Sequence, residues 1–165
     1  MSPIAVLIGP PAAGKSRLGR RVADRLGVGF VDTDKSVVVK HGPIPEIFAS
    51  SGEAQFRAWE REAVTEALLT PGIVALGGGA ILNPDTQRDL EDLFVVMVTA
   101  TPEAIEPRLV SAKRPLLTGG IDAWVALVAE RQPVYDRLAD FTVDTSRGTM
   151  DGIADSLVTR LEERR

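Results

Sequence analysis

The stretch "IAVLIGPPAAGKS", residues 4–16, changes character at Gly9. Its first half, "IAVLI", is an unbroken apolar run, as a strand buried on both faces requires. Its second half, "GPPAAGKS", fits the pattern G-x-x-x-x-G-K-[ST]. The chain that follows, "KSRLGRRVADRL" from Lys15 to Leu26, places Leu18, Val22 and Leu26 on one helical stripe with Gly27 as a stop. Strand, glycine-bounded loop and helix in that order form the setting in which such a loop cradles phosphate. Gly9 and Gly14 let the backbone bend so that successive N–H groups point inward, and the positive end of the helix adds to them. Lys15 can reach the outer phosphates as a point charge, and Ser16 offers a hydroxyl to a magnesium ion bridging them. A nucleoside triphosphate is the expected ligand, but the loop does not name the acceptor.

The 165 residues suffice for one sizeable core and are short for two, so a single domain over 1–165 is expected. With 44% hydrophobic and 25% charged residues, the composition is that of a soluble globule. A formal charge of -4 argues against a nucleic-acid binder that relies on a basic surface, and leaves small anionic ligands open. The absence of cysteine excludes disulfides and thiolate metal sites. The N-terminus has no basic region and no signal-length apolar segment, and "IAVLI" is far too short to span a bilayer. A cytoplasmic protein without a membrane partner is therefore the expectation.

Further along, "VGFVD" (28–32), "GIVAL" (72–76), "LFVVMVTA" (93–100) and "FTVDT" (141–145) read as four more strands. After "VDTD" comes a polar, proline-bearing stretch. "GEAQFRAWEREAVTEALL" (52–69) is a strong helix, with Phe56, Trp59, Ala63 and Ala67 at spacings of three and four. Another helix runs from about Ile121 to Tyr135, and the chain from Met150 is an amphipathic helix. Strands alternating with helices predict an α/β fold with a mostly parallel sheet and helices on both faces.

In such sheets ligands sit beyond the carboxyl ends of the strands, which brings "VDTD" close to the phosphate loop. If the extension continues, Asp32 and Asp34 point to the same side, one to anchor waters of the metal and the other to accept a proton from an attacking hydroxyl. A helix N-cap is the competing use for one of them. Arg57 and Glu60, three residues apart on a helix, suit either a surface ion pair or a ligand-binding pair. The glycines of "LGGGA" (76–80) suggest backbone that approaches a ligand closely, or a flexible turn. "SAKRPLLTGG" (111–120) has the composition of a mobile lid whose arginine could close over phosphates. Arg131, which opens "RQPVY", stands near the end of a helix, where a cation could simply complement the dipole. His41, the single histidine, is expected to be solvated and without a role.

Taken in order, "GPPAAGKS", "DTD", "IFASSGEAQFRAWE", "LGGGA", "RPLL" and "RQPVY" closely resemble the shikimate kinase family, over nearly the whole chain. The resemblance implies a P-loop NTPase fold of the nucleoside-monophosphate-kinase-like kind, with a five-stranded parallel sheet in the order 2-3-1-4-5. It implies transfer of the γ-phosphoryl group of ATP, with Mg2+, to the 3-hydroxyl of shikimate, on the route to chorismate and the aromatic amino acids. By position it implies Asp34 as base and ligand of the shikimate hydroxyls, and Asp32 with Ser16 as holders of Mg2+. Arg57, oriented by Glu60, would grip the substrate carboxylate together with Arg131, with Gly78 and Gly79 in the same pocket. ATP contacts are implied for Gly9, Pro11, Ala12, Ala13, Gly14, Lys15, Ser16, Arg17, Arg108, Arg114 and Arg147. Lys15 would face the transferring group from below and Arg114 from the lid. Residues 33–60 would form the acceptor-binding segment, and a monomer is expected.

The chain departs from the family pattern in several places. Val38 stands where a Glu is common, the segment before "IF" and the lid between Arg108 and Arg114 each look one residue short, and Arg147 stands alone where relatives often carry two arginines. Val38 keeps open a related kinase of the same fold with another acceptor, such as a gluconate kinase. A non-catalytic nucleotide-binding module is the alternative of another class, and intact Lys15, Ser16, Asp32, Asp34 and Arg114 speak against it.

Overall fold

The computed structural model describes residues 1–112 and 119–165. Five parallel strands, β1 (Ala5–Ile8), β2 (Phe30–Asp32), β3 (Ile73–Ala75), β4 (Val95–Thr99) and β5 (Phe141–Asp144), lie in the order β2-β3-β1-β4-β5. This is the order that the family resemblance implied. β1 lies at the centre, with Val6 opposite Val74 of β3 on one side and Val95 of β4 on the other. Its unbroken apolar run follows from that position, because alternate residues serve two different cores. Ala5 and Leu7 meet Leu18 and Val22 of helix α1 (Lys15–Leu26) and Leu157 and Leu161 of helix α7 (Met150–Arg164). Val6 and Ile8 meet Val64 of α3 (Ile44–Ala67), Leu90 of α4 (Pro84–Leu90) and Tyr135 of α6 (Gly120–Leu138). Helix α5 (Pro102–Ala112) lies against α6, where Ile105 and Trp124 are buried together. Among the described residues no helix is long and apolar enough to cross a membrane.

The structure adds to or corrects the sequence reading at three points. The proline-bearing stretch after "VDTD" is helical: it forms α2 (Thr33–His41) and the first part of α3. α3 has a proline in its first turn, where a missing N–H costs nothing, and breaks at Gly52, whose φ of 83 no helix accommodates. The apolar pattern of these turns is weak because they do not face the sheet. They close instead on a small core of their own, in which Val37 and Ile47 pack with Phe56 and Ala63. His41, expected to be solvated, stacks flat on Trp59 with ring centroids 3.7 Å apart. Arg131, in turn, is well inside α6, which continues to Leu138, so it does not serve the helix end.

The turn out of β1 leaves no room for a side chain. Gly9 has φ 144, and a methyl at its Cα would overlap the Val98 carbonyl of the neighbouring strand. Gly9→Ala is therefore expected to lower the unfolding free energy in urea by about 3 kcal/mol, from backbone strain and overpacking together. Gly29→Ala, which meets nothing within 4 Å, should stay within about 0.5 kcal/mol of the parent.

Candidate active site

The loop from Gly9 to Gly14 is held from the outside. The Pro11 carbonyl accepts from Trp124 Nε1 at 2.8 Å, the Ala12 carbonyl from Arg108 Nη1 at 3.1 Å, and the Ala13 carbonyl from the buried Thr145 hydroxyl at 2.6 Å. Arg108 also reaches the Thr145 carbonyl, so α5, α6 and the end of β5 share the task. With these carbonyls engaged, the loop holds Ala12 at φ 66, the single left-handed residue other than glycine among those described. α1 opens at Gly14 with no capping side chain and no acidic residue in its first turn, which leaves its N–H groups and positive dipole end to an anion. Lys15 Nζ lies along the loop, on the carbonyls of Gly9 at 2.7 Å and Pro10 at 3.0 Å.

The "DTD" triplet does not continue the strand, which corrects the reason given for pairing its two carboxylates. β2 stops at Asp32, and Asp32 is the N-cap of α2: its Oδ1 accepts from the backbone N–H groups of Asp34 and Lys35. Its other oxygen accepts from the Ser16 hydroxyl. The cap use expected as the competing reading is thus present, and capping also fixes the carboxylate that faces Ser16. Two oxygen donors adjoining the phosphate loop fit Mg2+, a hard cation that keeps several waters and is held largely by substrate phosphates. Thr33 is fully buried and accepts the Gly77 N–H at 3.0 Å. It ties the start of α2 to the loop after β3, a role that sequence reading missed because a Thr between two Asp residues has no marked pattern of its own.

That loop explains its three glycines. A Cβ on Gly77 would overlap the Asp34 carboxylate, and one on Gly79 would overlap the Arg57 guanidinium. A Cβ on Gly78 would lie 3.7 Å from Arg131 Nη1. Arg131 Nη1 also donates to the Gly78 carbonyl at 2.8 Å. Gly77 and Gly79 thus each make room for one charged side chain, from α2 and α3, while at Gly78 a Cβ would make ordinary contacts and it is the carbonyl that Arg131 of α6 engages. Arg57 is no mere surface pair: its Nη1 bonds both oxygens of Glu60 at 3.0 and 3.1 Å, and Glu60 is 4% exposed. Burial pushes the Glu60 carboxyl above its usual value, and the Arg57 charge and hydrogen bonds oppose that shift.

These groups line one cleft of about 880 Å³. On its wall are Pro11, Ala12, Gly14, Lys15, Ser16, Arg17, Asp32, Asp34, Arg57, Gly78, Gly79, Arg108 and Arg131, and Val38 with Ile44 and Phe48 gives it an apolar side. Gly9 and Ala13 are buried behind the loop, Glu60 stands behind Arg57, and Arg147 is exposed after β5 and off the cleft wall. Arg114 and most of the expected lid lie outside the described residues; 111 and 112 end α5, and Gly120 begins α6.

The family model described as shikimate kinase matches residues 11–162. The chain is 45% identical to the shikimate kinase of Thermobifida fusca (strain YX) over 163 residues, which cover 96% of this chain and 95% of that one. Its structure is similar to that of shikimate kinase from Acinetobacter baumannii in complex with shikimate, with a TM-score of 0.91 and 29% identity, covering 100% of this chain and 95% of the other. A gluconokinase from Sinorhizobium meliloti 1021 gives a TM-score of 0.60 at 18% identity, covering 97% and 93%, a likeness of fold alone.

The glycine contacts separate two effects on catalysis. Gly79→Ala must displace the Arg57 guanidinium, so the KM for a carboxylate-bearing acceptor should rise about tenfold with the KM for nucleotide unchanged. Gly77→Ala displaces the Asp34 carboxylate and should lower kcat instead; steady-state kinetics of both variants distinguish the two. Glu60 adds a pH signature. A carboxyl with a higher pKa folded than unfolded contributes most to stability in acid, and that contribution falls as pH rises from the unfolded value through the folded one. Urea denaturation across that range should find the decline smaller in Glu60→Gln, while the same variant raises the acceptor KM.

Proposed function

The chain belongs to the shikimate kinase family, and we propose that it transfers the γ-phosphoryl group of ATP to the 3-hydroxyl of shikimate, giving shikimate 3-phosphate, ADP and a proton. The observation that supports this acceptor is the meeting of Arg57, Arg131 and Asp34 around the Gly77–Gly79 loop, beside the phosphate loop. Two guanidinium groups suit a carboxylate, and a carboxylate next to them suits a hydroxyl. Asp34 orients the attacking hydroxyl and takes its proton as the bond to phosphorus forms. The loop N–H groups and Lys15 bear on the phosphates, where charge develops as the bridging oxygen leaves. Ser16 and Asp32 would hold Mg2+, which when bound neutralises charge on the nucleotide phosphates. Arg108 bonds the loop carbonyls and also lines the cleft, which suits a nucleotide contact. Arg114 is assigned to the lid, and Arg147 to the outer rim of the nucleotide site. The reading takes residues 1–165 as one kinase domain, monomeric and cytoplasmic.

A carboxylate held by Arg57 and Arg131 gains charge-assisted bonds of about 1.5–3 kcal/mol each. Replacing either arginine with Ala should raise the KM for shikimate at least about tenfold and leave ATP binding intact. Shikimate methyl ester should be a poor substrate for the parent enzyme and lose little more in either variant, since the partner charge is already gone. Asp34→Asn should lower turnover far more than shikimate affinity. An ester used as well as the acid would sink the shikimate assignment.

A further inference from the structure

Tyr135, the last residue of "RQPVY", is fully buried on α6, packed in the core that contains Leu76, Ala80 and Ile81 under the glycine loop. Among the described residues no group meets its hydroxyl in full hydrogen-bond geometry, although Arg131 is near enough to act on it. A stranded hydroxyl at such a place opposes folding, and phenylalanine would fill the same volume without it. Stability therefore does not account for the oxygen. Its surroundings suggest what does. Arg131 lies one helical turn earlier on the same face and is the charged side chain that acts on the phenol, opposing the upward push that burial gives its pKa. Arg131 spends one N–H on the Gly78 carbonyl, and a guanidinium carries five in a rigid plane. One anchored N–H leaves that plane free to turn about the bond; a second anchor on the helix side would fix it.

We propose that the Tyr135 hydroxyl is a positioning group for Arg131, accepting a guanidinium N–H when an acceptor carboxylate occupies the outer edge of the fork. The anchors then divide the guanidinium between them: Gly78 takes one N–H, Tyr135 another, and the substrate the pair that faces the cleft. Tyr135 lies off the cleft wall and acts on the substrate through Arg131 alone. This inference rests on the reading of Arg131 as a carboxylate ligand.

The test is Tyr135→Phe in the parent protein and in Arg131→Ala, with thermal unfolding, kcat, and the KM for shikimate and for ATP measured on each. The expected result is an unfolding temperature equal to the parent's or higher, a shikimate KM raised about three- to tenfold, and an unchanged ATP KM. In the Arg131→Ala background the substitution should add nothing. An unchanged shikimate KM in Tyr135→Phe, beside a raised one in Arg131→Ala, overturns the role of Tyr135 and leaves the carboxylate grip standing. An equal rise in both backgrounds, or a loss of stability, overturns it by making the hydroxyl a structural group. If Arg131→Ala itself leaves the KM alone, the grip fails first and this inference falls with it.

Discussion

The site depends on how closely the backbone of Gly77–Gly79 approaches three charged side chains. Asp34, Arg131 and Arg57 come from three different helices: Asp34 and Arg57 occupy the space a Cβ on Gly77 or Gly79 would need, and Arg131 bonds the Gly78 carbonyl. Side chains set against one another would set these distances loosely, since long side chains have many rotamers. A backbone anchored at the end of a buried strand has none. Thr33 adds a bond to the Gly77 N–H, and Arg131 adds one to the Gly78 carbonyl. The loop after β3 therefore serves as the common reference from which these three charged groups are spaced.

The phosphate loop is organised on the opposite principle. Its neighbours grip it through its carbonyls, with Trp124, Arg108 and Thr145 as donors, and none of these needs to touch a ligand to shape the cradle. An anion-binding loop works by presenting donors, and donors are presented best when the acceptors of the same peptide units are satisfied elsewhere. Charge follows the same arrangement. The chain has a net formal charge of -4, yet among the described residues Lys15, Arg17, Arg57, Arg108 and Arg131 line the cleft against Asp32, Asp34 and Glu53. The field that meets an anionic ligand is thus opposite in sign to that of the whole molecule.

Between the two lie α2 and the first part of α3, with a core separate from those that flank the sheet. Asp32 joins it to the nucleotide side by serving three N–H and O–H donors at once, two from α2 and one from Ser16. Local helix capping and the placement of Asp32 against Ser16 are in this way one constraint. Shifting the start of α2 would move both.

Much of this was legible in the chain itself. An apolar run buried on both faces, a glycine loop and an amphipathic helix have local causes, so β1, the phosphate loop and α1 could be read in place, as could the alternation that predicts a parallel sheet. The order of motifs added the family and, with it, the strand order 2-3-1-4-5. What could not be read was anything whose cause lies across the fold. α2 and the turns before Gly52 are helical because Val37 and Ile47 find Phe56, a partner no local pattern reveals. The same holds for Asp32, a cap and a Ser16 partner together, and for Thr33 beneath the glycine loop. The glycines announced that something comes close, but not which group. Only packing, which brings three helices onto one loop, assigns Gly77 to Asp34, Gly78 to Arg131 and Gly79 to Arg57, because contact distances belong to the folded backbone and not to the spacing of residues along it.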